Sequence, residues 1–539
     1  MDFWIAVAPI LFLIVVMTKR RSWPSHIALP ATALLVLVLR VFYFAGESWL
    51  TSAALIKGAL SALTPIAIIW SAILLADFMQ RSGAQSVVNQ SLDRVSRHPV
   101  AQLMLIGWAF TFMLEGASGF GTPAAIAAPI LVALGFPPLR IAMLTLVMNS
   151  VPVSFGAVGT PTWFGFEPLS LSEEALLEIG VQSAWIHMVA SLIIPAMALS
   201  LVLSGKEIRQ NLVFILFSSL SCSLPYLGLA NLNYEFPSLI GGAVGMALTA
   251  LLAKLHIGLS AQEETPESSA RAKGATISPD WENRPTWIAF LPYLLLIAVL
   301  VLTRLPGLGL RSLLTSDSPA LRLPVGPLGE FELSAALVAK WNSILGTATD
   351  WSFPALFVPA FIPFLLVVLL VLPVFSSPST VLRKSLATAT KRLRLPSITL
   401  VGALIMVELM MESSGEKGAM TLIIGTSMAD LTGTSWQYFA SLMGALGSFF
   451  SGSASVSNLT FGGIQQAIAM ETGLDPTLIL ALQSVGASMG NMICINNIVA
   501  VCTILGLANQ EGTILKLTIL PMIAYALIAA GMSVLLVNL

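Results

Sequence analysis

The sequence predicts an all-α polytopic membrane protein, built as an inverted repeat with two re-entrant helical hairpins, two broken transmembrane helices and about 12 spans. Three observations support this fold class. Hydrophobic residues make up 56% of the 539 residues and charged residues only 10%, unlike a soluble globular domain. Long apolar segments recur along the whole chain. Two apolar regions, one in each half, are interrupted by small and polar residues.

Ten continuous segments have the apolarity of a bilayer-spanning helix, which needs ~20 residues. The interrupted regions, 100–163 and 436–508, contain Gly, Ser, Asn and Pro clusters that a lipid-facing helix would not tolerate. They are therefore expected to pack on protein or to line a cavity. The ten continuous segments are 3–18, 26–44, 60–79, 184–204, 211–229, 237–255, 287–304, 353–374, 397–411 and 514–537.

The distribution of Lys and Arg predicts the direction of each crossing, because cytoplasmic loops carry most basic residues. With the N-terminus outside, the basic clusters at 19–21, 81–97 and 206–209 and the basic loop 375–396 lie inside. The acidic segment 164–183 then lies outside. On this path seven of the 26 Lys and Arg residues are outside and the other 19 are inside. Both termini are predicted to be outside.

The chain divides into two halves with the same order of elements: a span, a surface segment, a hairpin and a broken helix. In the first half, 1–255, the hairpin is predicted at 100–134 and the broken helix at 141–163. A polar segment at 256–286 is predicted to be a cytoplasmic linker.

The second half, 287–539, has its hairpin at 436–470 and its broken helix at 478–508. Its segment 305–352 is predicted to be an interfacial or partly helical cap outside the membrane. The hairpin tip is placed in "SGSASVSNLTFGG", 451–463.

Short sequence matches support the repeat. "DFMQRSG" from Asp77 matches "LMMESSG" from Leu409, and "LEGASGFG" from Leu114 matches "FSGSASVS" from Phe450. Because the two copies enter from opposite faces, the repeat is inverted, as in secondary transporters whose substrate site lies near the midplane. The alternative interpretation is that the small residues only allow close helix packing.

The hairpin tips are the candidate substrate site, because helix N-termini there present backbone N–H groups that bind anions. No Lys or Arg lies near the tips in the sequence, which favours a small monoanion over a dicarboxylate. The candidate substrate-binding residues are Ser118, Gly119, Gly121 and Thr122 at the first tip, Ser453, Ser455, Ser457 and Asn458 at the second, and Asn496 in the second broken helix.

Polar residues at the two helix breaks can cap the backbone groups that a break sets free. Contact with substrate is the sharper interpretation of the same residues. They are Asn149, Ser150 and Ser154 in the first broken helix and Asn491 and Asn497 in the second.

Glu115, within "LEGASGFG", is the first candidate for proton coupling. A charged carboxylate is costly at membrane depth, so burial would let it bind and release a proton near neutral pH. The alternative is a glutamate that only caps the hairpin tip. Asp77 and Glu408, near the ends of two spans, are secondary candidates, with a solvated or helix-packing acid as the favoured alternative.

Other classes of protein find less support. An enzyme would need a nucleophile beside a base, or a metal cluster, and no His lies near the Ser-rich tips in the sequence. The four histidines, His187 among them, are interpreted as interfacial residues near span ends. Neither a cofactor nor a metal is predicted, and nothing indicates nucleic-acid binding.

At these motifs the sequence resembles the L-lactate permease family, which includes glycolate permeases. The resemblance implies proton symport of a small 2-hydroxymonocarboxylate, L-lactate or glycolate, across a bacterial inner membrane. It also implies an ion-transporter-like fold with an elevator-type motion. The blocks that carry it are "EGASGFGTPAAIA", "GFPPLR", "NSVPVSFGAVGTP", "SGSASVSNLTFGGIQQAIA" and "GASMGNMICINNIVAV".

The second half departs from the family pattern. The resemblance implies an acid where Ala454 stands, a Lys where Asn491 stands, and a Ser-Pro-Gln run where Cys494, Ile495 and Asn496 stand. These departures leave open a sodium-coupled transporter, a transporter of another small organic anion, or an anion channel. The sequence is compatible with a homodimer and does not fix the oligomeric state.

Overall fold

The computed structural model describes residues 1–18, 23–119, 122–260, 281, 284–304, 308–358, 361–375, 379–415, 417–507 and 510–537. In the first half the α-helices are Asp2–Thr18, Ser25–Phe42, Ser48–Ser61, Leu63–Arg81, Ala84–Asp93, Pro99–Gln102, Thr111–Ser118, Thr122–Ala133, Pro138–Met148, Gly156–Trp163, Glu173–Ser191, Ile194–Ser200, Gly205–Gln210, Leu212–Ala230 and Pro237–Lys254. A π-helix, Leu103–Phe110, and 3-10 turns at Val151–Phe155 and Glu167–Leu169 complete this half.

The second half contains α-helices and one small β-sheet. Its 3-10 turns are Gly326–Leu328, Ile344–Gly346, Gly433–Tyr438 and Asn491–Ile493. Its α-helices are Trp287–Arg304, Leu310–Leu314, Phe361–Val374, Ser379–Met411, Met420–Thr432, Ala440–Ser451, Ala454–Thr472, Pro476–Gly490, Ile495–Leu505 and Glu511–Leu536. Most of the predicted linker, 261–280, lies outside the described residues.

The protein is a multi-pass membrane protein. Among the described residues, eight helical segments are long and apolar enough to cross a bilayer. A ninth is obtained if Pro138–Met148 and Val151–Leu169, which are bent by 47°, count as one span. Shorter apolar helices such as His26–Phe42 and Phe361–Val374 accompany them. The predicted number of about 12 spans stays a prediction.

The segment predicted as an interfacial or partly helical cap, 305–352, contains the short helix Leu310–Leu314, and an antiparallel sheet follows it. Its four strands are paired in chain order. Trp351 is buried against Ala53 and Ile344, so the sheet packs on the helix Ser48–Ser61. The strands are Ala320–Pro324, Glu330–Ser334, Val338–Asn342 and Trp351–Pro354.

The basic segment predicted as the loop 375–396 is also different, because most of it is helical. It continues into the predicted span 397–411 as one helix, Ser379–Met411, with Pro396 inside. Arg, Lys, Leu and Ala are good helix formers, which explains why this charged stretch extends the helix. Arg81 Nη2 donates to Thr388 Oγ1 at 3.1 Å, which joins the end of Leu63–Arg81 to the basic part.

Each half contains a helical hairpin followed by an interrupted helix. The first hairpin joins the arm Pro99–Ser118 to Thr122–Ala133, and the second joins Ala440–Ser451 to Ala454–Thr472. The second tip is therefore only Gly452 and Ser453, much shorter than the predicted 451–463. Because Ser453 caps the helix that follows, the residues after it are helical rather than part of the loop.

Glycines with positive φ angles occur in three pairs of positions that the predicted repeat would relate. At the tips, the Gly119 N–H donates to the Glu115 carbonyl at 3.0 Å, and the Gly452 N–H donates to the Ser448 carbonyl at 2.9 Å. If Gly119 and Gly452 are aligned, Ser448 corresponds to Glu115, whereas the sequence match pairs Glu115 with Ser451. The matched glycines with their φ angles are Gly83 (80°) and Gly415 (93°), Gly119 (56°) and Gly452 (75°), and Gly135 (91°) and Gly473 (70°).

Candidate substrate site

A small cavity lies where the two hairpin tips meet the two helix breaks. Its volume is about 20 Å³, enough for a water molecule. Both halves contribute to it. The lining residues are Glu115, Gly119, Val153, Gly156, Ala157 and Pro161 from the first half, and Gly452, Ser453, Ala454, Ser455 and Asn491 from the second.

Glu115 is the acidic residue in this wall. Its side chain is 2% exposed, and Asn149 Nδ2 donates to Glu115 Oε2 at 3.0 Å. Within the described part of the chain, no Lys, Arg or His side chain pairs with this carboxylate. Gly156 lies so close that an added Cβ would be 2.5 Å from Glu115 Oε1. The sequence therefore places an acid here, and the glycine makes room for it.

Asn149 suits either protonation state of Glu115. The Asn149 Oδ1 atom is buried and has no hydrogen-bond partner among the described residues. An Asn side chain has two N–H donors and one carbonyl acceptor. The amide can donate to the ionised carboxylate, and with its ends exchanged it can accept the O–H of the protonated acid. The pair can thus remain hydrogen-bonded when Glu115 gains or loses a proton.

The first break contains a left-handed turn. Ala157, Val158 and Gly159 have φ angles of 44°, 57° and 72°. This conformation costs an L-residue about 1–2 kcal/mol, and it is unusual for β-branched Val. Trp163 Nε1 donates to the Val158 carbonyl at 3.0 Å, which satisfies one backbone group of the turn. Strain of this kind is concentrated at functional sites in proteins, and here it lies in the cavity wall.

The second tip presents a helix N-terminus to the cavity. Ser453 accepts a hydrogen bond from the Val456 N–H at 3.4 Å and so caps Ala454–Thr472. The amides of Ala454 and Ser455, at the start of the helix, have no intrahelical acceptor. The Ser455 hydroxyl makes no hydrogen bond within the described part of the chain. These groups are free to meet an anion.

Three predicted binding residues use their side chains to hold the tips in place. Ser118 Oγ donates to the Leu114 carbonyl at 2.9 Å, Ser457 Oγ to the Gly444 carbonyl at 2.7 Å, and Asn458 Nδ2 to the Pro161 carbonyl at 2.9 Å. None of the three lines the cavity. Asn458 also connects the second hairpin to the first broken helix.

The remaining tip residues differ in position. Gly119 and Ser453 line the cavity. Thr122 begins the second arm of the first hairpin. Gly121 lies outside the described residues.

The polar residues of the two helix breaks also differ in whether they line the cavity or bond to the backbone. Asn491 lines the cavity, and its side chain accepts a hydrogen bond from Asn497 Nδ2. Ser150 Oγ donates to the Val147 carbonyl at 2.7 Å and caps the first half-helix. Asn496 is exposed, and its Nδ2 donates to the Ser451 carbonyl at 3.4 Å. Capping of backbone carbonyls therefore accounts for only part of this set.

The two secondary acids are not brought to the cavity. Asp77 forms an ion pair with Arg81 at 2.5 Å, one helical turn away. Glu408 lies 3.2 Å from Lys57 Nζ and is 7% exposed. Of the three candidate acids, the structure places only Glu115 between the tips and the breaks.

Comparison with known proteins decides the family. The model of the family described as L-lactate permease matches residues 2–539. The chain belongs to the L-lactate permease family. It is 47% identical to a putative L-lactate permease of Haemophilus influenzae over 98% of this chain and 97% of that protein. The family is one of transporters, as the name permease states.

More distant relatives include an L-lactate permease of Bacillus subtilis, 28% identical over 95% of this chain and 92% of that protein. A glycolate permease of Escherichia coli is 25% identical over 96% and 92%, respectively. Among solved structures, the YdaH transporter of Alcanivorax borkumensis is 16% identical with a TM-score of 0.45, covering 95% of this chain and 97% of that one.

Two of the departures expected from the family pattern fall in the cavity itself. Ala454 and Asn491 both line it. Ala454 packs with Val153 and Ala487, so its small side chain completes an apolar contact between the halves. If family members carry an acid and a Lys at these positions, as the resemblance implies, the two would lie within one site. Their joint replacement would leave the charge of that site unchanged.

Some buried polar residues beside the cavity were not predicted from the sequence. His187 is fully buried, so its interpretation as an interfacial residue is wrong. The error follows from placing the span at 184–204, whereas the helix begins at Glu173 and puts His187 in its interior. Gln465 and Gln483, in apolar segments, are also fully buried and bonded to each other at 2.9 Å. A lone amide in an apolar segment is the signal that could have found them.

Proposed function

We propose that the chain is a secondary active transporter that takes up L-lactate or glycolate by proton symport. The observation that carries the proposal is one cavity between the two halves with Glu115 in its wall and no cationic side chain among its described lining residues. The names of the L-lactate and glycolate permeases among its relatives support this substrate class. We further propose a bacterial inner-membrane location with both termini outside.

The substrate carboxylate binds at the N-terminus of Ala454–Thr472, where the amides of Ala454 and Ser455 and the Ser455 hydroxyl are available. Asn491, in the same wall, is available to the substrate's 2-hydroxyl group. An anion in this cavity and an ionised Glu115 would repel each other at short range. Protonation of Glu115 removes one of the two negative charges. Binding of the anion and binding of the proton therefore favour each other, as symport requires.

An elevator-type motion of an inverted repeat fits the packing. Ser25–Phe42, Ser48–Ser61 and Leu63–Arg81 all pack against Ser379–Met411, and we propose these helices as the stationary framework. The hairpins and broken helices enclose the cavity, and we propose that they move together as re-entrant elements. The equivalent glycines in the two halves support the repeat.

Sodium coupling is a second candidate, favoured by one observation. Asn149 Oδ1 is buried beside the Glu115 carboxylate and has no hydrogen-bond partner in the described part of the chain, and carboxylate and amide oxygens are the ligands of hard cations. Uptake driven by a sodium gradient at constant pH would support this alternative. Uptake driven by a pH gradient in sodium-free buffer would support proton symport.

Glu115→Gln tests the role of the acid, because it mimics the protonated form. In proteoliposomes the variant should bind lactate or glycolate and exchange it by counterflow, but it should not accumulate substrate in response to a pH gradient. Glu408→Gln, which changes another buried acid away from the cavity, is the matched control and should still accumulate substrate. Normal pH-driven accumulation by Glu115→Gln would contradict the proposed role. Loss of exchange as well, with folding intact, would instead indicate that Glu115 contacts the substrate.

A further inference from the structure

A group of five buried polar side chains connects the two halves of the chain through Ser154, which lies in the 3-10 turn Val151–Phe155 of the first break. Ser154 Oγ lies 2.9 Å from Ser484 Oγ and 2.8 Å from Ser488 Oγ, both on the second broken helix. It also lies 2.8 Å from His187 Nε2. His187 Nδ1 is hydrogen-bonded to the Tyr525 hydroxyl. All five side chains are fully buried.

The contacts assign the hydrogen atoms of the serines. Ser488 Oγ donates its hydrogen to the Ser484 carbonyl at 3.0 Å. Because a hydroxyl has only one hydrogen, Ser154 must donate to Ser488. Ser154 then accepts from Ser484, and it also accepts from His187, whose Nε2 must carry a hydrogen.

The hydrogen bonds of the His187 ring also indicate its charge. If His187 is neutral, its Nδ1 is an acceptor and the Tyr525 O–H donates to it. If His187 were charged, Nδ1 would donate, and the Tyr525 hydrogen would lose its only acceptor among the described residues. The imidazole faces the rings of Tyr226 and Tyr525, and no Asp or Glu in the described part of the chain pairs with it. A buried cation without a counter-charge is costly, so the geometry favours a neutral ring.

We infer that His187 is a positioning residue, which as a neutral imidazole holds the first break against the second broken helix. The effect of this contact on substrate binding rests on the proposed function. Ser154 is separated by only Phe155 from Gly156, where an added Cβ would lie 2.5 Å from Glu115 Oε1. Its other neighbour, Val153, lines the cavity. Fixing Ser154 therefore fixes the wall that faces Glu115, so both breaks keep one geometry while His187 itself stays neutral and takes up no second proton.

Three substitutions separate this role from that of a proton carrier. In His187→Gln, the amide N–H can still reach Ser154. In His187→Asn, the shorter amide keeps an acceptor near Tyr525 but loses Ser154. Tyr525→Phe removes the donor to Nδ1. His256→Gln, at an exposed histidine, is the control.

The measurements are substrate affinity and pH-driven uptake in proteoliposomes across a range of pH. His187→Asn should weaken the apparent affinity roughly 5- to 30-fold, the effect of one lost buried hydrogen bond. His187→Gln should restore most of it, and both should keep the native pH midpoint of uptake. Tyr525→Phe should weaken affinity in the same direction.

Two results would overturn the inference. Loss of pH-driven accumulation in His187→Gln with native affinity would make His187 a proton carrier, and native affinity in His187→Asn would show that the contact with Ser154 has no positioning role. Failure of the native protein to take up either acid would contradict the proposed function instead. In that event, melting temperatures of His187→Asn, Ser154→Ala and the double variant still test the contact. A loss in the double variant equal to the sum of the two single losses would refute the His187–Ser154 contact, and a smaller loss would support it.

Discussion

Gly156→Ala is the most direct perturbation of the cavity wall, because the added methyl group meets Glu115. The new Cβ would lie 2.5 Å from Glu115 Oε1 and 3.3 Å from its Cδ. Gly156 has φ −63° and ψ 154°, a conformation that alanine adopts without strain. The effect therefore arises from the collision and not from the backbone. The carboxylate must move by several tenths of an ångström, away from the position in which Asn149 donates to it.

The expected magnitude follows from that one hydrogen bond. Its loss leaves buried polar groups unpaired, at about 1–3 kcal/mol, which corresponds to roughly a 5- to 150-fold change in an equilibrium constant. We expect the apparent affinity for lactate or glycolate in pH-driven uptake to fall by a factor in this range. The assay is initial-rate uptake into proteoliposomes at several substrate concentrations and pH values.

The control is Gly228→Ala, because a Cβ at Gly228 meets nothing within 4 Å. That variant should match the native protein in affinity and in pH dependence. If Gly156→Ala also matches the native protein while it remains folded, Glu115 does not act from the position described.

Three further predictions concern the cavity, a remote acid and the topology. Ser455→Ala should weaken substrate binding without lowering the melting temperature. Ser457→Ala should lower the melting temperature, because it removes the donor to the Gly444 carbonyl. Equal melting temperatures of the two variants would contradict the different roles given to the two serines. Asp77→Asn should retain pH-driven accumulation, since Asp77 is paired with Arg81 and does not line the cavity, and loss of accumulation in a transport assay would give Asp77 a coupling role. Cysteines at the exposed positions Ala348 and Gln210 should react with an impermeant thiol reagent from outside and inside, respectively, and labelling from one side of sealed cells would overturn the proposed orientation.

The order of elements could be predicted from the sequence because the interruptions themselves are visible in it. Gly119 and Gly452 stand at the tips of hairpins in the predicted regions, and Asn149 and Asn491 end the first parts of the two broken helices. Small and polar residues within apolar segments carry this information directly. Glu115 was identifiable for the same reason, as a lone acid at a glycine-rich interruption.

Pairings between distant elements could not be predicted, because they depend on how the two halves are placed together. The contacts of Ser154 with Ser484 and His187 join residues that are far apart in the chain, and no local pattern records them. The sheet was missed because its strands are short and lie among Pro and Gly residues, in a segment where composition indicated only a membrane-proximal cap. The sequence also could not show that the Ser457 hydroxyl donates to a backbone carbonyl while the Ser455 hydroxyl has no hydrogen-bond partner among the described residues, since both are serines on one helix.

The length of Ser379–Met411 has a consequence for the lipids around the protein. At 1.5 Å per residue, its 33 residues extend about 50 Å, beyond the ~30 Å hydrocarbon thickness of a bilayer. The part that cannot fit carries five exposed cations: Arg383, Lys384, Lys391, Arg392 and Arg394. Each basic side chain near an anionic membrane surface contributes about 1 kcal/mol of attraction. Phosphatidylglycerol or cardiolipin headgroups should therefore gather at this end of the helix, and the depth at which the framework sits should vary with the anionic lipid content of the membrane.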